Sequence, residues 1–245
     1  DRINYELPKM QNLKKEDIAR LDLKKTNSSI TLRQKNGTWY IGKKGFRAKK
    51  EKVDKILDSI REVELTTLIS RSKNYNNYNL RGSQGINVEA FNNSNNLLRK
   101  IRIGKSASSY NTNYVRINDD PNVYLARNTL SKDFAISTQN LRDMTVLAFP
   151  GNRIRSLTIN NSKTLKVQKR TKQSKDSKKQ KIYWQSSKGK KLNKKKIQDF
   201  LSNLSNLECS SFYEKGALKQ TEAPDYRIDL NGKKTYTLKL YIHEK

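Results

Sequence analysis

The stretch NGTWYIGKKGFRAKKEKVDKILDSI, residues 36–60, predicts a hairpin strand followed by an amphipathic helix. Asn36-Gly37 lies between two alternating runs and is the strongest short signal for a two-residue hairpin. Apolar residues then recur at the i, i+3, i+4, i+7 spacing of one helical face, at Val53, Ile56, Leu57, Ile60 and Val63. This pattern favours an antiparallel sheet with one helix packed on a face.

Nearly the same pattern returns in QKIYWQSSKGKKLNKKKIQDFLSNL, residues 180–204. Trp39-Tyr40 aligns with Tyr183-Trp184, and Gly45 aligns with Gly189, at a separation of about 144 positions. The helix-face positions keep the same separation and correspond to Ile197, Phe200, Leu201, Leu204 and Leu207. Self-similarity at a fixed, long spacing indicates an internal duplication.

The flanking segments extend the match. DIARLDLKK at 17–25 is similar to RIRSLTINN at 153–161, and LLRKIRIGK at 97–105 is similar to TLKLYIHEK at 237–245. The separation changes between these segments, which predicts a longer loop at 169–181 in the second copy. The sequence therefore predicts an α+β protein of two similar lobes from an internal duplication, residues 1–149 and 150–245. Each lobe is expected to be a mostly antiparallel sheet with a packed amphipathic helix, and the second is expected to be shorter.

The net charge of +29 predicts a partner of opposite sign, because such a field attracts nucleic acid, anionic lipid or an acidic protein. The alternative is the Lys and Asn usage of an AT-rich genome, in which case the charge serves solubility alone. The densest basic run lies in the second lobe. We take as a candidate anion-binding surface nine residues of that run: Lys178, Lys179, Lys181, Lys188, Lys190, Lys191, Lys194, Lys195 and Lys196.

No catalytic, cofactor-binding or metal-ligating residue is expected from the sequence. His243 and Cys209 are single copies of their types, and a general acid–base or zinc site needs more such groups. Asp119 and Asp120 precede a proline and are typical of a turn. Gly104-Lys105-Ser106 ends like a phosphate-binding loop, but Arg99 stands where that motif requires glycine.

Six short segments follow one another along the chain in the order YELPK, IARLDL, the ITLRQKNGTWYI hairpin, IRIGK, NVYLA and LRDMTVLAF. This order resembles that of a bacterial family, domain-of-unknown-function family 4340. The resemblance covers nearly the whole chain. It implies tandem α+β lobes placed outside the cytoplasm, one N-terminal membrane anchor, and a non-enzymatic role beside gliding-type ABC transporters. The chain as given begins at Asp1 and contains no apolar run long enough to span a bilayer, so we expect the anchor to lie upstream.

The expected function is therefore a non-enzymatic extracytoplasmic accessory or scaffold protein that assists a gliding-type ABC transporter. Its expected partners are the transporter permease or ATPase, another envelope protein, or an anionic lipid surface. The alternative is a basic protein that binds a polyanion, either nucleic acid or an anionic envelope polymer, and nucleic acid is less favoured as a partner than lipid headgroups. An enzyme that acts on an envelope polymer is a third alternative, and no small-molecule substrate is evident.

Overall fold

The computed structural model describes residues 5–108, 111–128, 130–174, 177–212 and 223–242, and at 173, 174 and 177–180 it describes the backbone alone. These residues form two compact units, which divide between Asp143 and Met144. Phe149 belongs to the second unit because its ring is buried in the core of that unit. The domain ranges inferred from the sequence, 1–149 and 150–245, stay a prediction.

The first unit contains nine strands and three α-helices in the described residues. They are β1 Arg20–Lys25, β2 Ser28–Lys35, β3 Thr38–Ile41, β4 Phe46–Arg47, α1 Lys50–Arg61, β5 Leu65–Ser70, β6 Ile86–Phe91, β7 Leu97–Ser106, β8 Thr112–Ile117, β9 Val123–Arg127, α2 Leu130–Phe134 and α3 Thr138–Leu141. The strands form one sheet in the order β4-β3-β2-β1-β6-β7-β8-β9-β5. Two 3₁₀ turns, Lys15–Asp17 and Tyr75–Tyr78, lie outside the sheet.

The predicted Asn36-Gly37 hairpin is confirmed. Strands β2 and β3 pair antiparallel with Lys35 opposite Thr38, so two residues make the turn. Asn36 and Gly37 have φ angles of 50° and 74°, which is the left-handed pair that a type I′ turn requires. This turn matches the natural twist of the strands and fixes their register.

Helix α1 buries the face that the sequence predicts. Val53, Ile56, Leu57 and Ile60 are at most 2% exposed, and Val63 just beyond the helix is also buried. Burial of such a side chain contributes about 1.5–3 kcal/mol before conformational entropy is subtracted. Phe134 of α2 packs in the same core, so α1 is covered by more than the sheet.

The second unit contains eight strands and one α-helix in the described residues. They are β10 Thr145–Ala148, β11 Ser156–Asn160, β12 Thr164–Ser174, β13 Ser177–Ser186, β14 Lys191–Leu192, α4 Lys194–Leu204, β15 Asn206–Glu208, β16 Tyr226–Asn231 and β17 Thr235–Leu240, with a 3₁₀ turn at Gly151–Arg153. Six strands form a sheet in the order β14-β13-β12-β11-β16-β17, and β10 pairs with β15. The strand pairings described in both units are antiparallel, which confirms the α+β class with mostly antiparallel sheets.

The predicted loop at 169–181 is wrong. Strands β12 and β13 continue through most of this segment as a long hairpin, with Lys172 opposite Lys181 and Gln173 opposite Gln180. The lysines misled the interpretation because charge runs are common in loops. Arg170, Lys172 and Lys181 are exposed on these strands, however, so their charges stay in water at little cost.

Trp39 and Tyr183, which the sequence comparison aligns, differ in burial. Trp39 and Trp184 both face their own unit's core, at 6% and 3% exposed, whereas Tyr40 and Tyr183 are only half-buried. Because successive strand residues point to opposite faces, a shift of one position exchanges core and surface. The burial patterns of the two segments therefore agree when Trp39 is matched with Trp184 rather than with Tyr183.

The second core is sparser than the first. On α4, Leu201 is 4% exposed, but Ile197, Phe200 and Leu204 are only partly buried against the core. The sheet beneath α4 has six strands in the described residues, against nine beneath α1. Less apolar area is therefore removed from water around α4.

Candidate anion-binding surface

We use the name lysine surface for the nine residues singled out in the second unit, which are Lys178, Lys179, Lys181, Lys188, Lys190, Lys191, Lys194, Lys195 and Lys196. Three consecutive elements position its members from Lys188 onward: the turn after β13, strand β14, and the first turn of α4. These six side chains and that of Lys181 are exposed. The side chains of Lys178 and Lys179 lie outside the described residues.

The turn after β13 carries Lys188 and Lys190, and hydrogen bonds within the turn fix its backbone. Gly189 has a φ of 84°, which a residue with a Cβ rarely adopts. The Ser186 Oγ accepts a hydrogen bond from the Lys190 N–H at 3.2 Å, and the Gln185 side chain donates to the Gly189 carbonyl at 2.7 Å. The turn therefore presents Lys188 and Lys190 to solvent on a fixed backbone.

Asn193 starts α4 as an N-cap. Its side-chain oxygen accepts a hydrogen bond from the Lys196 N–H at 3.2 Å, which satisfies one of the free donors of the first turn. The cap directs Lys194, Lys195 and Lys196 into that turn. The strand before it, β14, pairs with β13 through Lys191 and Leu192, so the helix start is tied to the sheet.

The electrostatics of the lysine surface are unfavourable in isolation. The first turn of α4 has no acidic residue, and its three lysines lie at the positive end of the helix dipole. No member forms an ion pair with a carboxylate within the described residues. A bound anion at this helix end would meet free backbone N–H groups and ammonium groups together.

A cavity of about 370 Å³ adjoins the start of α4. Its lining includes the buried Trp184, and its polar groups come from Asn152, Lys169, Lys194, Gln198, Ser202 and Ser205. The Lys169 Nζ donates to the Asn152 carbonyl at 3.2 Å, which holds that ammonium group beside the cavity. An apolar wall with a few convergent cationic and polar groups can hold a small ligand that carries one anionic group.

Sequence reasoning missed Lys169 and Gln198 as members of this site. Lys169 stands directly opposite Trp184 in the β12–β13 pair. Because the sequence predicted a loop at this segment, it could not predict that the two residues are neighbours. Gln198 follows Lys194 at i+4 on α4 and therefore shares its face. The spacing was available in the sequence, but only the cavity distinguishes Gln198 from an ordinary exposed residue.

The aromatic residues of β13 have separate roles. Trp184 lies in the core of the second unit. Tyr183 is half-buried on the opposite face, and the Lys191 Nζ lies 5.4 Å from its ring centroid. This cation–π contact orients one member of the lysine surface.

The other residues singled out in the sequence have structural explanations or lie outside the description. The Asp120 carboxylate accepts hydrogen bonds from the Asn122 N–H at 2.8 Å and from the Tyr124 hydroxyl at 2.7 Å, so it closes the predicted turn. Burial raises the pKa of the Tyr124 hydroxyl, and the hydrogen bond to Asp120 raises it further. Cys209 is a half-buried free thiol, and His243 lies outside the described residues.

Within the described residues, no cluster of three or more His, Cys, Asp or Glu side chains is arranged to hold a metal ion. The helices described there are also too short or too polar to cross a bilayer. The Asp119 carboxylate belongs to a different cavity, in the first unit.

Comparison with protein families gives one match. The family described as "Domain of unknown function (DUF4340)" matches residues 39–230, which covers most of both units. The chain belongs to this family. No curated protein and no solved structure matches the chain. The domain of unknown function 4340 thus extends from the Trp39 strand through the lysine surface to Leu230.

Proposed function

We propose that this member of the domain-of-unknown-function family 4340 is a non-enzymatic accessory or scaffold protein that assists a gliding-type ABC transporter. Its family membership supports the proposal, since resemblance to this family implies such a setting. In this proposal the protein works outside the cytoplasm at the inner membrane, and its partner is the transporter permease or ATPase or another envelope protein.

The observation that carries the proposal is the lysine surface. Its seven described side chains are exposed and have no carboxylate partner among the described residues, and three of them stand at a helix N-terminus. Such an arrangement suits contact with a large, negatively charged partner face or with anionic headgroups. Each lysine near an anionic membrane surface contributes about 1 kcal/mol.

We also propose that the two units arose by internal duplication. The order β4-β3-β2-β1-β6-β7 in the first sheet parallels β14-β13-β12-β11-β16-β17 in the second. Trp39 and Trp184 occupy corresponding core positions, which adds support. An experimental structure in which these six-stranded sheets fail to superpose would reject this origin.

The accessory role is tested by isolation of the tagged protein from membranes of its native host after mild crosslinking. We expect a transporter permease or ATPase among the recovered proteins. The triple variant Lys194→Gln, Lys195→Gln and Lys196→Gln should recover less of it. The matched control is Lys163→Gln, Lys233→Gln and Lys234→Gln, which removes the same charge from exposed positions elsewhere in the second unit. Equal recovery by both triple variants, or recovery of no transporter component, would contradict the proposal.

A second candidate function, binding of a polyanion, is favoured by the same lysine surface. Binding of DNA, RNA and vesicles with anionic lipids should be compared across a salt series. Tight nucleic-acid binding with a steep negative dependence on salt, lost in the Lys194–Lys196 triple variant, would favour a nucleic-acid partner. Vesicle binding without nucleic-acid binding at physiological salt would favour the membrane-associated role.

A further inference from the structure

A second concentration of positive charge lies in the first unit, on the side of the sheet away from α1. Arg102 on β7 stands directly opposite Arg116 on β8, and Asn87 on β6 is the other neighbour of Arg102. Like charges directly opposite each other in an antiparallel pair are unfavourable. Burial lowers the pKa of Arg102, and the nearby charge of Arg116 lowers it further.

This arginine pair forms one wall of a cavity of about 350 Å³, a volume typical of small-molecule sites. Lys100 and Arg81 add two more cations to the lining, and Asp119 is the carboxylate that the lining contains. Asp119 makes no ion pair with these cations within the described residues. The cavity therefore carries an excess of about three positive charges when its lining is counted at neutral pH.

The loop that follows β5 forms the opposite wall and is held in place by close backbone packing. A Cβ on Gly104 would lie 2.1 Å from the Tyr78 carbonyl oxygen, and a Cβ on Gly85 would lie 2.8 Å from the Asn79 carbonyl oxygen. Arg102 also anchors this loop, since its guanidinium donates to the Gly82 carbonyl. The cavity is thus built between a rigid sheet and a fixed loop.

Arg116 is the cation best placed to bind a ligand. Its guanidinium lies 4.2 Å from the centroid of the Tyr75 ring, and its Nε donates to the Asp120 carbonyl at 3.4 Å. Its two terminal nitrogens have no hydrogen-bond acceptor within the described residues. A stacked, oriented guanidinium with free N–H groups is suited to bidentate binding of an oxyanion.

The ammonium group of Lys100 is only weakly neutralised by Glu89. The Lys100 backbone N–H donates to the Asn118 side chain at 3.0 Å, and its Nζ is 3.9 Å from Glu89. Glu89 is shared with Lys24 at the same distance, so neither lysine has this carboxylate to itself. Positive charge therefore remains at the cavity.

We propose that this cavity is a binding site for a phosphoryl group, contacted by Arg116, Lys100 and Arg81 and framed by Arg102. A phosphomonoester carries close to two negative charges at neutral pH, which fits an excess of several cations better than a single carboxylate does. A small phosphorylated metabolite and the phosphomonoester headgroup of a lipid share this chemistry. The proposal is independent of the lysine surface and of the transporter role.

The test is titration calorimetry of the full chain with inorganic phosphate and with glycerol phosphate at constant ionic strength. We expect saturable binding that Arg116→Gln weakens about tenfold. The Arg81 side chain is exposed and makes no hydrogen bond or ion pair in the described residues. Arg81→Gln should therefore leave the fold intact, and it serves as a second variant for the same binding measurement. The control Arg33→Gln removes an exposed arginine of the same sheet outside the cavity and should change the affinity less than about twofold.

Vesicles of phosphatidylcholine with and without phosphatidic acid distinguish the two sources of the phosphoryl group. Binding of vesicles that Arg116→Gln abolishes, with no binding of soluble phosphate compounds, would support the proposal and assign a lipid headgroup. Saturable binding of glycerol phosphate would support it and assign a soluble ligand. If neither probe binds, or if Arg33→Gln reduces binding as much as Arg116→Gln does, the proposal is overturned.

Discussion

Arg99 shows how one residue ties several elements together. It is 2% exposed, and its guanidinium donates to the carbonyls of Ile60 at 2.7 Å and Arg61 at 3.1 Å, as well as to that of Gln11. Ile60 and Arg61 end α1, so the buried cation lies at the negative end of the helix dipole. Burial lowers the pKa of Arg99, but arginine keeps its charge in proteins.

Replacement of Arg99 should therefore destabilise the first unit. We expect Arg99→Met to reduce the free energy of unfolding by about 3 kcal/mol, because it leaves the carbonyls at the end of α1 without their donor. Chemical denaturation measures the effect. Arg33→Met, an exposed arginine of the same sheet, is the control and should change stability by less than about 0.5 kcal/mol. Equal stabilities of the two variants would show that Arg99 does not support the helix.

Asp229 is a residue whose protonation should be visible in the stability of the second unit. The Thr237 hydroxyl donates to its carboxylate at 2.7 Å and the Arg227 Nε donates at 2.9 Å. These bonds hold the pKa of Asp229 below its ordinary value of 3.8, with the Thr237 bond as the larger cause. A lowered folded-state pKa contributes stability above the unfolded-state pKa, and this contribution is lost as the pH falls through the folded-state value.

Asp229→Asn should consequently be less stable than the wild type by about 1 kcal/mol at neutral pH, and the difference should shrink as the pH falls below 3.8. Urea denaturation across a pH series measures this. Asp199→Asn, which removes an exposed carboxylate of the same unit, is the control. A stability gap that stays constant down to the lowest pH would contradict the linkage.

At the scale of the element, α4 combines a good cap with unfavourable charge. Asn193 satisfies a backbone donor, but the three lysines of the first turn oppose the helix dipole. Helix α1 differs because Glu51 lies in its first turn. Charged residues that reduce the stability of a helix are expected where the surface serves binding.

Replacement of Lys194, Lys195 and Lys196 by glutamine should therefore stabilise the protein by about 1 kcal/mol in total while it weakens anion binding. Thermal unfolding at low ionic strength measures the first effect, and vesicle binding measures the second. The triple variant at Lys163, Lys233 and Lys234 has the same net charge. It should show a smaller gain in stability and a smaller loss of anion binding. If the α4 variant is less stable than this control, the dipole argument is wrong.

The loop between β5 and β6 depends on a glycine beneath it. Gly104→Ala should push the loop away from β7, because its Cβ would lie 2.1 Å from the Tyr78 carbonyl oxygen. We expect a loss of about 2 kcal/mol of stability, as for other overpacked sites. Gly151→Ala is the matched control, since a Cβ there meets its nearest atom at 3.8 Å. If both variants have the same denaturation midpoint, the loop does not depend on the absence of a side chain at Gly104.

At the scale of the whole molecule, the dominant feature is the net charge of +29. Self-repulsion of this size opposes the compact state and is screened by salt. We expect the thermal unfolding midpoint to rise by several degrees between about 0.01 and 0.15 M sodium chloride and to change little beyond that range. Glycerol at matched osmolality controls for solute effects other than screening. A midpoint that falls with added salt would show that attractive ion pairs outweigh repulsion.

Local patterns in the sequence predicted much of the fold. The Asn36-Gly37 turn and the apolar face of α1 follow from local residue patterns, because hydrophobic spacing and turn chemistry act over a few residues. The lysine surface was also readable, because its members are neighbours in sequence. Their exposure follows from the cost of burying unpaired charge.

Pairing between distant residues was decided by the tertiary structure alone. Nothing local marks Arg102 and Arg116 as neighbours, since their approach depends on the register of β7 and β8, and that register follows from burial of the opposite face. The inward position of Trp184 and the cap that Arg99 places on α1 have the same origin. Sequence patterns therefore determined the Asn36-Gly37 hairpin and the buried face of α1, whereas core packing across the sheets decided which charges meet at a cavity.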